Sequence, residues 1–467
     1  MLFNSIAFLI YFPVVCIIYF ALPTLRLRNI FLLIASYYFY MNWEPEYALL
    51  LLTSTAITWL AGIGIGHFTE RSKKKACLVG SLVINLAILF LFKYYNFAAE
   101  NLVEFLRYCG LAIDLPDFKL LLPVGISFYT FQALGYSIDV YRGDTPVEKN
   151  FFRYALFVSF FPQLVAGPIE RSTNLLKQFY VKHTFDYDSA MSGFKLMLWG
   201  YFLKLALADR CALYVDAVFN NVAQHNGGSY LIASLFFPFQ IYGDFAGYSL
   251  VAIGAAQVMG FRLMENFRRP YFAATVTEFW HRWHISLSTW FKDYVYIPMG
   301  GNRVSKARNY FNILVTFVVS GIWHGANWTF FVWGTLHGVL QCIEKALGWH
   351  RQKWTGVQRL GHVLFTFCVV SLAWIFFRAN SITDAFTIIH GIFTNLQMPY
   401  LQLANFGAVA LALSIVFLKE WGDEFGWKLN TSPVLSTVST HLYMVGMISY
   451  LILFGVLNGD QFIYFQF

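Results

Sequence analysis

The sequence predicts an all-α, polytopic integral membrane protein. Of its 467 residues, 58% are hydrophobic and only 12% are charged, whereas soluble domains carry about 25% charged residues. Apolar stretches recur along the chain, and several approach the roughly 20 residues that a helix needs to cross a bilayer. Basic residues cluster in the short segments between them, so the net charge of +8 indicates membrane orientation and not nucleic-acid binding.

We predict about eleven transmembrane helices, with further re-entrant or interfacial helices. The first span, Leu2–Leu22, lacks a basic start and a small-residue cleavage site, which favours a retained helix over a signal peptide. Asn29–Tyr40 is too short to cross unaided, and Ser229–Phe261 fits either two half-crossings or one kinked helix. The other predicted spans are Tyr47–Gly66, Ala76–Phe92, Leu120–Ile138, Tyr154–Gly167, Met191–Leu207, Asn312–Phe331, Gly361–Phe377, Phe406–Leu418 and His441–Leu457.

The basic segments at Arg26–Arg28 and Arg71–Lys75 predict an orientation. Positive segments stay in the cytoplasm, so the N-terminus is expected outside. Asn96–Lys119 reads as an interfacial segment on the outer side. Glu265–Arg308 is too polar to cross and too aromatic for a free linker, so we expect it to pack into the cytoplasmic face, in part as a re-entrant segment. With no domain-sized soluble segment, residues 1–467 are expected to form one membrane-embedded domain.

The run Ser320–Trp328 places His324 within an apolar stretch. An ionisable group at membrane depth is costly and points to function. If the helix begins near Tyr310, the histidine lies roughly 21 Å deep, at or past the middle of the bilayer. Gly321 and Gly325 are expected to leave open space beside the ring. His324 is therefore a candidate general base, and the alternative is a neutral histidine with one hydrogen bond in a helix bundle.

The string Glu278–Trp290 contains a second histidine pair, His281 and His284. Their spacing predicts one shared helix face. No third ligand follows at a suitable spacing, so no metal site is expected. A charged surface segment and a wall that holds a polar substrate both remain open.

Two further strings combine polar and helix-breaking residues. Pro238–Tyr248 carries Gln240, Tyr242 and Asp244 within an apolar stretch, which indicates either a polar tunnel lining or a helix kink. Pro162–Arg171 contains a Gly-Pro pair that ends a helix, and its Glu-Arg pair is expected to lie at the interface.

Five strings in fixed order carry a resemblance to a known family: Leu122–Tyr129, Phe161–Glu170, Ile241–Tyr248, Phe279–Gly301 and Ser320–Trp328. With them the chain resembles the membrane-bound O-acyltransferases, and most closely the bacterial branch with the membrane subunit of alginate O-acetylation. The resemblance covers most of the chain. It implies a ring of transmembrane helices around a central tunnel that narrows at a catalytic histidine.

The resemblance implies that His324 is the catalytic histidine and that His284 is the second polar catalytic position. The implied donor is a cytoplasmic thioester, expected to be acetyl-CoA, with no permanently bound cofactor and no metal. Arg282, Lys292 and Arg303 are candidate phosphate contacts, although the positive-inside rule explains them equally well. Candidate tunnel or substrate-binding residues are Trp323, Asn327, Gln240, Tyr242, Asp244, Trp283 and Ser286.

The implied reaction moves an acyl group towards an extracytoplasmic polysaccharide hydroxyl, as in alginate O-acetylation. The implied partner is an extracytoplasmic acetyltransferase of the SGNH type, and membrane lipids surround the chain in the bacterial cytoplasmic membrane. D-alanyl or peptidoglycan acyl transfer by the same fold remains open. So do a transporter that uses Asp139, Asp209 and Asp244, and a non-catalytic scaffold. His324 either takes the proton of the attacking hydroxyl or only holds the donor carbonyl.

Overall fold

The computed structural model describes residues 1–111, 113–118, 122–165, 167–427, 433–456 and 462–463, and these ranges contain helices but no strand. The all-α prediction is thus confirmed. The chain divides into two compact units, Met1–Phe194 with Ala252–Met264, and Lys195–Val251 with Glu265–Phe467.

Among its described residues, the first unit contains eight complete α-helices, two π-helices, the first half of a ninth α-helix and the end of a later one. A π-helix, Phe90–Tyr94, joins α4 to α5 without a break, and a second π-helix covers Ser172–Leu176. The α-helices are α1 (Ile6–Ala21), α2 (Leu25–Met41), α3 (Tyr47–His67), α4 (Arg71–Leu89), α5 (Tyr95–Tyr108), α6 (Ile126–Arg142), α7 (Phe151–Ser159), α8 (Phe161–Leu164) and α9 (Tyr187–Tyr201).

The second unit begins with the second half of α9, which a π-helix, Phe202–Ala208, continues into α10. A further π-helix covers Lys292–Tyr296, and 3₁₀ turns lie at Val222–Gln224, Pro270–Phe272 and Trp349–Arg351. The α-helices are α10 (Asp209–Phe219), α11 (Gly227–Val258, whose end belongs to the first unit), α12 (Val276–Arg282), α13 (Ile285–Phe291), α14 (Lys306–His324), α15 (Trp328–Ala346), α16 (Gly356–Arg378), α17 (Ile382–Thr394), α18 (Leu403–Phe425) and α19 (Pro433–Phe454).

Four helical stretches among the described residues are long and apolar enough to cross a membrane: Tyr47–His67, Arg71–Tyr108, Gly356–Arg378 and Leu403–Phe425. Each contains or overlaps a predicted span. Three more apolar helices are shorter than 18 residues. The total of about eleven spans stays a prediction. The first two residues of the predicted span Leu120–Ile138, and the last of His441–Leu457, lie outside the described residues.

Two predicted spans are wrong because each consists of two helices. Asn312–Phe331 is divided between α14 and α15, since the Asn327 side chain accepts a hydrogen bond from the backbone of Thr329 at 2.9 Å and starts a new helix there. Tyr154–Gly167 is divided between α7 and α8 at Phe160, whose backbone leaves the helical region just before Pro162. The first of these breaks puts His324 at a helix end.

The segment Ser229–Phe261 forms one long helix, α11, and not two half-crossings. Gly243, at its middle, does not break the helix. A Cβ atom there would lie 2.7 Å from the carbonyl oxygen of Leu203, so the glycine permits close packing against the π-helix Phe202–Ala208. Pro238 also lies inside the helix, and the Tyr271 hydroxyl donates to its carbonyl at 2.6 Å.

In the first unit, Glu170 is buried. The sequence led us to expect it at the membrane interface, and that expectation is wrong. Its side chain is 1% exposed. One carboxyl oxygen accepts from the backbone of Met264 at 2.5 Å, and the other accepts from the Asn174 amide at 2.7 Å. Burial raises the pKa of this carboxyl to about 7, even though both hydrogen bonds favour its charged form.

Candidate active site

His324 is the last residue of α14 and is buried, with 3% of its surface exposed. Aromatic rings surround it. Its ring centroid lies 5.0 Å from that of Trp333 and 5.4 Å from that of Phe377, both in edge-to-face geometry. These rings exclude bulk water from the imidazole and fix its orientation by packing.

Gly321 and Gly325 do not leave open space beside this ring, so that part of the prediction is wrong. A Cβ atom on Gly321 would lie 2.3 Å from the carbonyl oxygen of Phe330, and one on Gly325 would lie 2.1 Å from its ring. The glycines instead let α14 approach α15 closely. They hold the two helices as a tight pair with His324 near the connection.

His284 lies between α12 and α13 with a left-handed backbone, φ 42°. His281 is on α12 and exposed, whereas His284 is completely buried. The expectation that the two histidines share a helix face is therefore wrong. The left-handed residue turns the chain between two short helices, and this turn sends His284 inward.

Asn266 fixes the tautomer of His284. Its amide oxygen lies 3.0 Å from Nδ1 of His284, 2.8 Å from the Ser286 hydroxyl and 3.3 Å from the Ser286 backbone nitrogen. A backbone N–H can only donate, so the shared atom is an acceptor and Nδ1 carries a proton. In a neutral ring the lone pair is then on Nε2.

Trp323 links the two candidate catalytic histidines. It is buried, and its ring centroid lies 4.9 Å from that of His324 and 6.4 Å from that of His284. The second unit therefore brings residues that are 40 positions apart in sequence to the same tryptophan ring. Ser286, another predicted site residue, joins this group through Asn266.

Other predicted tunnel residues are held by structural contacts. Trp283 is 1% exposed and stacks on Phe279 at 5.4 Å within the aromatic core. Asn327 caps α15, and its amide also donates to the carbonyl of Asn380 at 3.2 Å. Both are accounted for by packing and capping.

The polar residues of α11 differ in how far their hydrogen-bonding needs are met. Asp244 forms an ion pair with Lys204 at 2.6 Å, and Lys204 also binds Asp209 at 2.8 Å. Tyr242 donates a hydrogen bond to Glu420. Gln240 is buried, and its side-chain oxygen has no hydrogen-bond partner among the described residues.

Of the three candidate phosphate contacts, the structure ties Arg282 to acidic residues. Its guanidinium binds Glu424 at 2.9 Å and Glu278 at 2.7 Å. Burial alone would lower the pKa of the Arg282 guanidinium. The two carboxylates have the larger combined effect and raise that pKa. Lys292 and Arg303 are both exposed.

A cavity of about 310 Å³ lies among α12, α13, α14 and α15, and Lys292 lines it whereas Arg282 and Arg303 do not. Its size falls at the lower end of the range for small-ligand sites, about 300–1,000 Å³. Its lining combines hydroxyls, aromatic rings and basic groups. The basic residues are His281, Lys292, Lys345 and His350; the others include Trp280, Thr289, Thr316, Phe317 and Ser320.

This cavity approaches the histidine region along α14. Ser320 lines the cavity and precedes His324 by one helical turn, a rise of about 6 Å. Lys345 lies near the far end of α15, eight residues past His337 and so about 12 Å along the axis. The cavity therefore has a basic end and an aromatic end.

Sequence reasoning missed His337, Lys345 and Lys204. His337 and Lys204 are ionisable residues in apolar stretches, and that signal could have found both. His337 also precedes a glycine, as His324 does. Lys345 gave no signal of its own, because only tertiary packing brings it to the same cavity as Lys292.

The all-helical fold and its long apolar helices are those of a polytopic membrane protein. Residues 146–383 match the model of MBOAT, the membrane-bound O-acyltransferase family. The chain belongs to this family and is an O-acyltransferase, as the sequence predicted.

Named relatives cover most of the chain. It is 39% identical to the probable alginate O-acetylase AlgI of Pseudomonas aeruginosa over 87% of this chain and 78% of that protein. It is 33% identical to the peptidoglycan O-acetyltransferase of Helicobacter pylori over 94% of this chain and 85% of that protein. It is 30% identical to the teichoic acid D-alanyltransferase of Streptococcus thermophilus over 50% of this chain and 58% of that protein.

Proposed function

We propose that this protein moves an acetyl group from acetyl-CoA in the cytoplasm towards a hydroxyl of an extracytoplasmic polysaccharide, as in alginate O-acetylation. The observation that carries the proposal is the position of His324, buried among aromatic rings one helical turn from a cavity with basic residues. Residues 1–467 act as one domain in the bacterial cytoplasmic membrane, with the N-terminus outside.

His324 acts as the general base. The acceptor hydroxyl attacks the thioester carbonyl, a carbon–oxygen bond forms, and the carbon–sulfur bond breaks. The hydroxyl proton passes to the His324 ring and then to the departing thiolate, so charge and protons balance. A positioned base of this kind contributes about 10²–10⁴-fold to the rate.

His284 acts beside it. With Nδ1 donating to Asn266, the lone pair of its neutral ring is on Nε2, the nitrogen that can act as a base. Trp323 lies between the two histidines and can separate the donor from the acceptor. Ser286 keeps Asn266 in place.

The donor binds in the cavity of about 310 Å³. This volume suits the thioester arm and not the whole coenzyme, so the nucleotide stays at the mouth. Lys292 and Lys345 contact its phosphates there, because ammonium groups bind phosphate as point charges. The acyl end points towards Ser320.

The acceptor is reached through a partner. The relatives include one named for alginate and one named for peptidoglycan, and the closer identity to the alginate protein favours an alginate-type exopolysaccharide. An extracytoplasmic acetyltransferase of the SGNH type receives the acyl group or completes its transfer. Peptidoglycan is the second candidate acceptor.

The test is a His324→Gln variant in the host, with O-acetyl groups on the exported polysaccharide as the readout. We expect acetylation to fall to background while the protein stays inserted in the membrane and elutes as one species in detergent. Thr335→Ala is the matched control on α15, because Thr335 is half-buried and its hydroxyl donates to the carbonyl of Phe331 in the same helix. Retained acetylation in His324→Gln would refute the role of His324.

A second measurement separates the enzyme from a scaffold and from a transporter. The purified chain in proteoliposomes, given an alginate-type oligosaccharide whose hydroxyls accept the acetyl group, should consume the thioester of acetyl-CoA and release free thiol without a partner. Thiol release that needs the partner but survives the change His324→Gln would favour a scaffold. Ion-driven uptake without thiol release would favour a transporter.

A further inference from the structure

Trp280 closes the end of the cavity that faces His324. The indole is buried and lines the cavity. Its ring centroid lies 5.2 Å from that of Phe317, which also lines the cavity, and 5.8 Å from that of Trp333. The ring centroid of Trp333 in turn lies 5.0 Å from that of His324. Trp280 and Phe317 are thus large side chains of the cavity wall, and Trp280 packs against the ring that neighbours His324.

His337 holds the Trp280 indole in this position. The indole N–H donates to Nδ1 of His337 at 3.2 Å, and His337 is completely buried. An indole nitrogen can only donate, so Nδ1 of His337 must be the unprotonated ring nitrogen. The other ring nitrogen of His337 has no hydrogen-bond partner among the described residues. The bond to Trp280 therefore fixes both the tautomer of the histidine and the rotation of the indole.

We propose that Trp280 restricts the donor to short acyl groups, and that His337 is a positioning residue that keeps Trp280 in place. This inference rests on the proposed function, in which the thioester arm lies in the cavity with its acyl end near Ser320. An acetyl group fits beside Ser320. A longer chain needs the volume that the Trp280 and Phe317 rings fill.

The size of the effect follows from packing. A site that is filled by protein discriminates by about 10–200-fold for one methylene. Two additional methylenes, as in a butyryl group, should therefore be rejected strongly by the wild-type chain. Replacing the indole with a smaller side chain removes that barrier without touching the basic end of the cavity.

The experiment uses the full chain in proteoliposomes with acetyl-, butyryl- and hexanoyl-CoA and the same oligosaccharide acceptor, and measures kcat/KM for thiol release. Trp280→Leu should raise the butyryl-to-acetyl ratio at least about tenfold, the lower end for one methylene. Trp290→Leu is the matched control, because Trp290 is also buried but does not line the cavity. Its ratio should equal that of the wild type.

His337 is tested with two variants. His337→Asn keeps an acceptor near the position of Nδ1 and should keep the wild-type ratio. His337→Leu removes the acceptor and should shift the ratio in the same direction as Trp280→Leu. A histidine that only fills space would lower turnover of all three donors equally, so the ratio separates positioning from stability.

Each outcome is decisive. Thiol release with an unchanged ratio in Trp280→Leu overturns this inference and leaves the proposed function intact. If the wild type releases no thiol from any donor, the proposed function fails and the inference fails with it. If Trp280→Leu does not fold, Phe317→Leu opens the same end from α14 and should give the same shift, and an unchanged ratio there overturns the inference.

Discussion

Glu424 holds Arg282 by two hydrogen bonds, from Nη2 to Oε1 at 2.9 Å and from Nη1 to Oε2 at 3.0 Å. Arg269 and Arg359 bind the same carboxylate. A two-pronged contact of this kind fixes both the angle and the distance of a guanidinium. Arg282 therefore joins α12 to α18 and is not available to a phosphate, unlike Lys292.

We expect Arg282→Gln to reduce stability and not donor affinity. The lost contact joins charged groups that are mostly buried, so the free energy of unfolding should fall by about 1.5–3 kcal/mol. Thermal unfolding in detergent measures this, with the KM for acetyl-CoA measured in parallel. A raised KM with unchanged thermal stability would contradict it and return Arg282 to the donor site.

Lys292→Met should raise the KM for acetyl-CoA about tenfold, equivalent to about 1.4 kcal/mol, with little change in kcat. The reason is the loss of one positive charge at the basic end of the cavity. Arg303→Met is the control, since Arg303 is exposed and outside the cavity lining. The wild-type KM should also rise with salt concentration, because salt screens exposed charges. Equal effects of the two variants would refute the assignment.

Asn266 and His284 should behave as one unit in a double-mutant cycle. Asn266→Leu removes the acceptor of the His284 Nδ1 proton, so we expect kcat to fall at least about tenfold. The double variant with His284→Ala should be no slower than His284→Ala alone, because residues that act together are not additive. Additive losses would show that Asn266 affects the reaction by another route. Asn266→Asp, which keeps an acceptor, is the conservative comparison.

Glu170 should make stability depend on pH between about 4.5 and 7. Burial raises its folded-state pKa from 4.5 to about 7, so in this range the folded state holds a proton that the unfolded chain releases. The free energy of unfolding therefore falls as pH rises from about 4.5 to 7, by about 3 kcal/mol at most, and levels off above pH 7.

Glu170→Gln removes that titration, and the difference in thermal unfolding between the variant and the wild type measures it at pH 5 and pH 8. The variant should gain stability relative to the wild type as pH rises. A constant difference would show that Glu170 titrates normally. Asp188→Asn, an exposed carboxyl at the start of α9, is the control.

Composition and motif order were enough to predict the fold class and the family. The helix boundaries near the site were not, because a single capping side chain decides them. Asn327 ends what hydropathy alone presents as one span, and its position before an apolar run was a usable signal. The left-handed backbone of His284 could not be read from periodicity, which assumes that the helix continues.

Pairings between distant residues account for the other differences. Arg282 looked like a phosphate ligand because its partner Glu424 lies 142 positions away. Gly321 looked like open space because the residue that fills it, Phe330, belongs to the next helix. Lys204 was missed although it is an ionisable residue in an apolar stretch, and of its partners Asp209 and Asp244, the second lies on another helix.

The ending of α14 at His324 has an electrostatic consequence. Carbonyl groups in the last turn of a helix have no partner within it, and they give that end a partial negative charge. In the proposed reaction the imidazole takes the proton of the acceptor hydroxyl, and it would then be a cation at the end of the helix where cations are favoured. The effect is about 0.3–1 kcal/mol at exposed sites and up to about 2 kcal/mol where water is excluded. Backbone dipoles at the end of α14 thus favour the protonated form of His324.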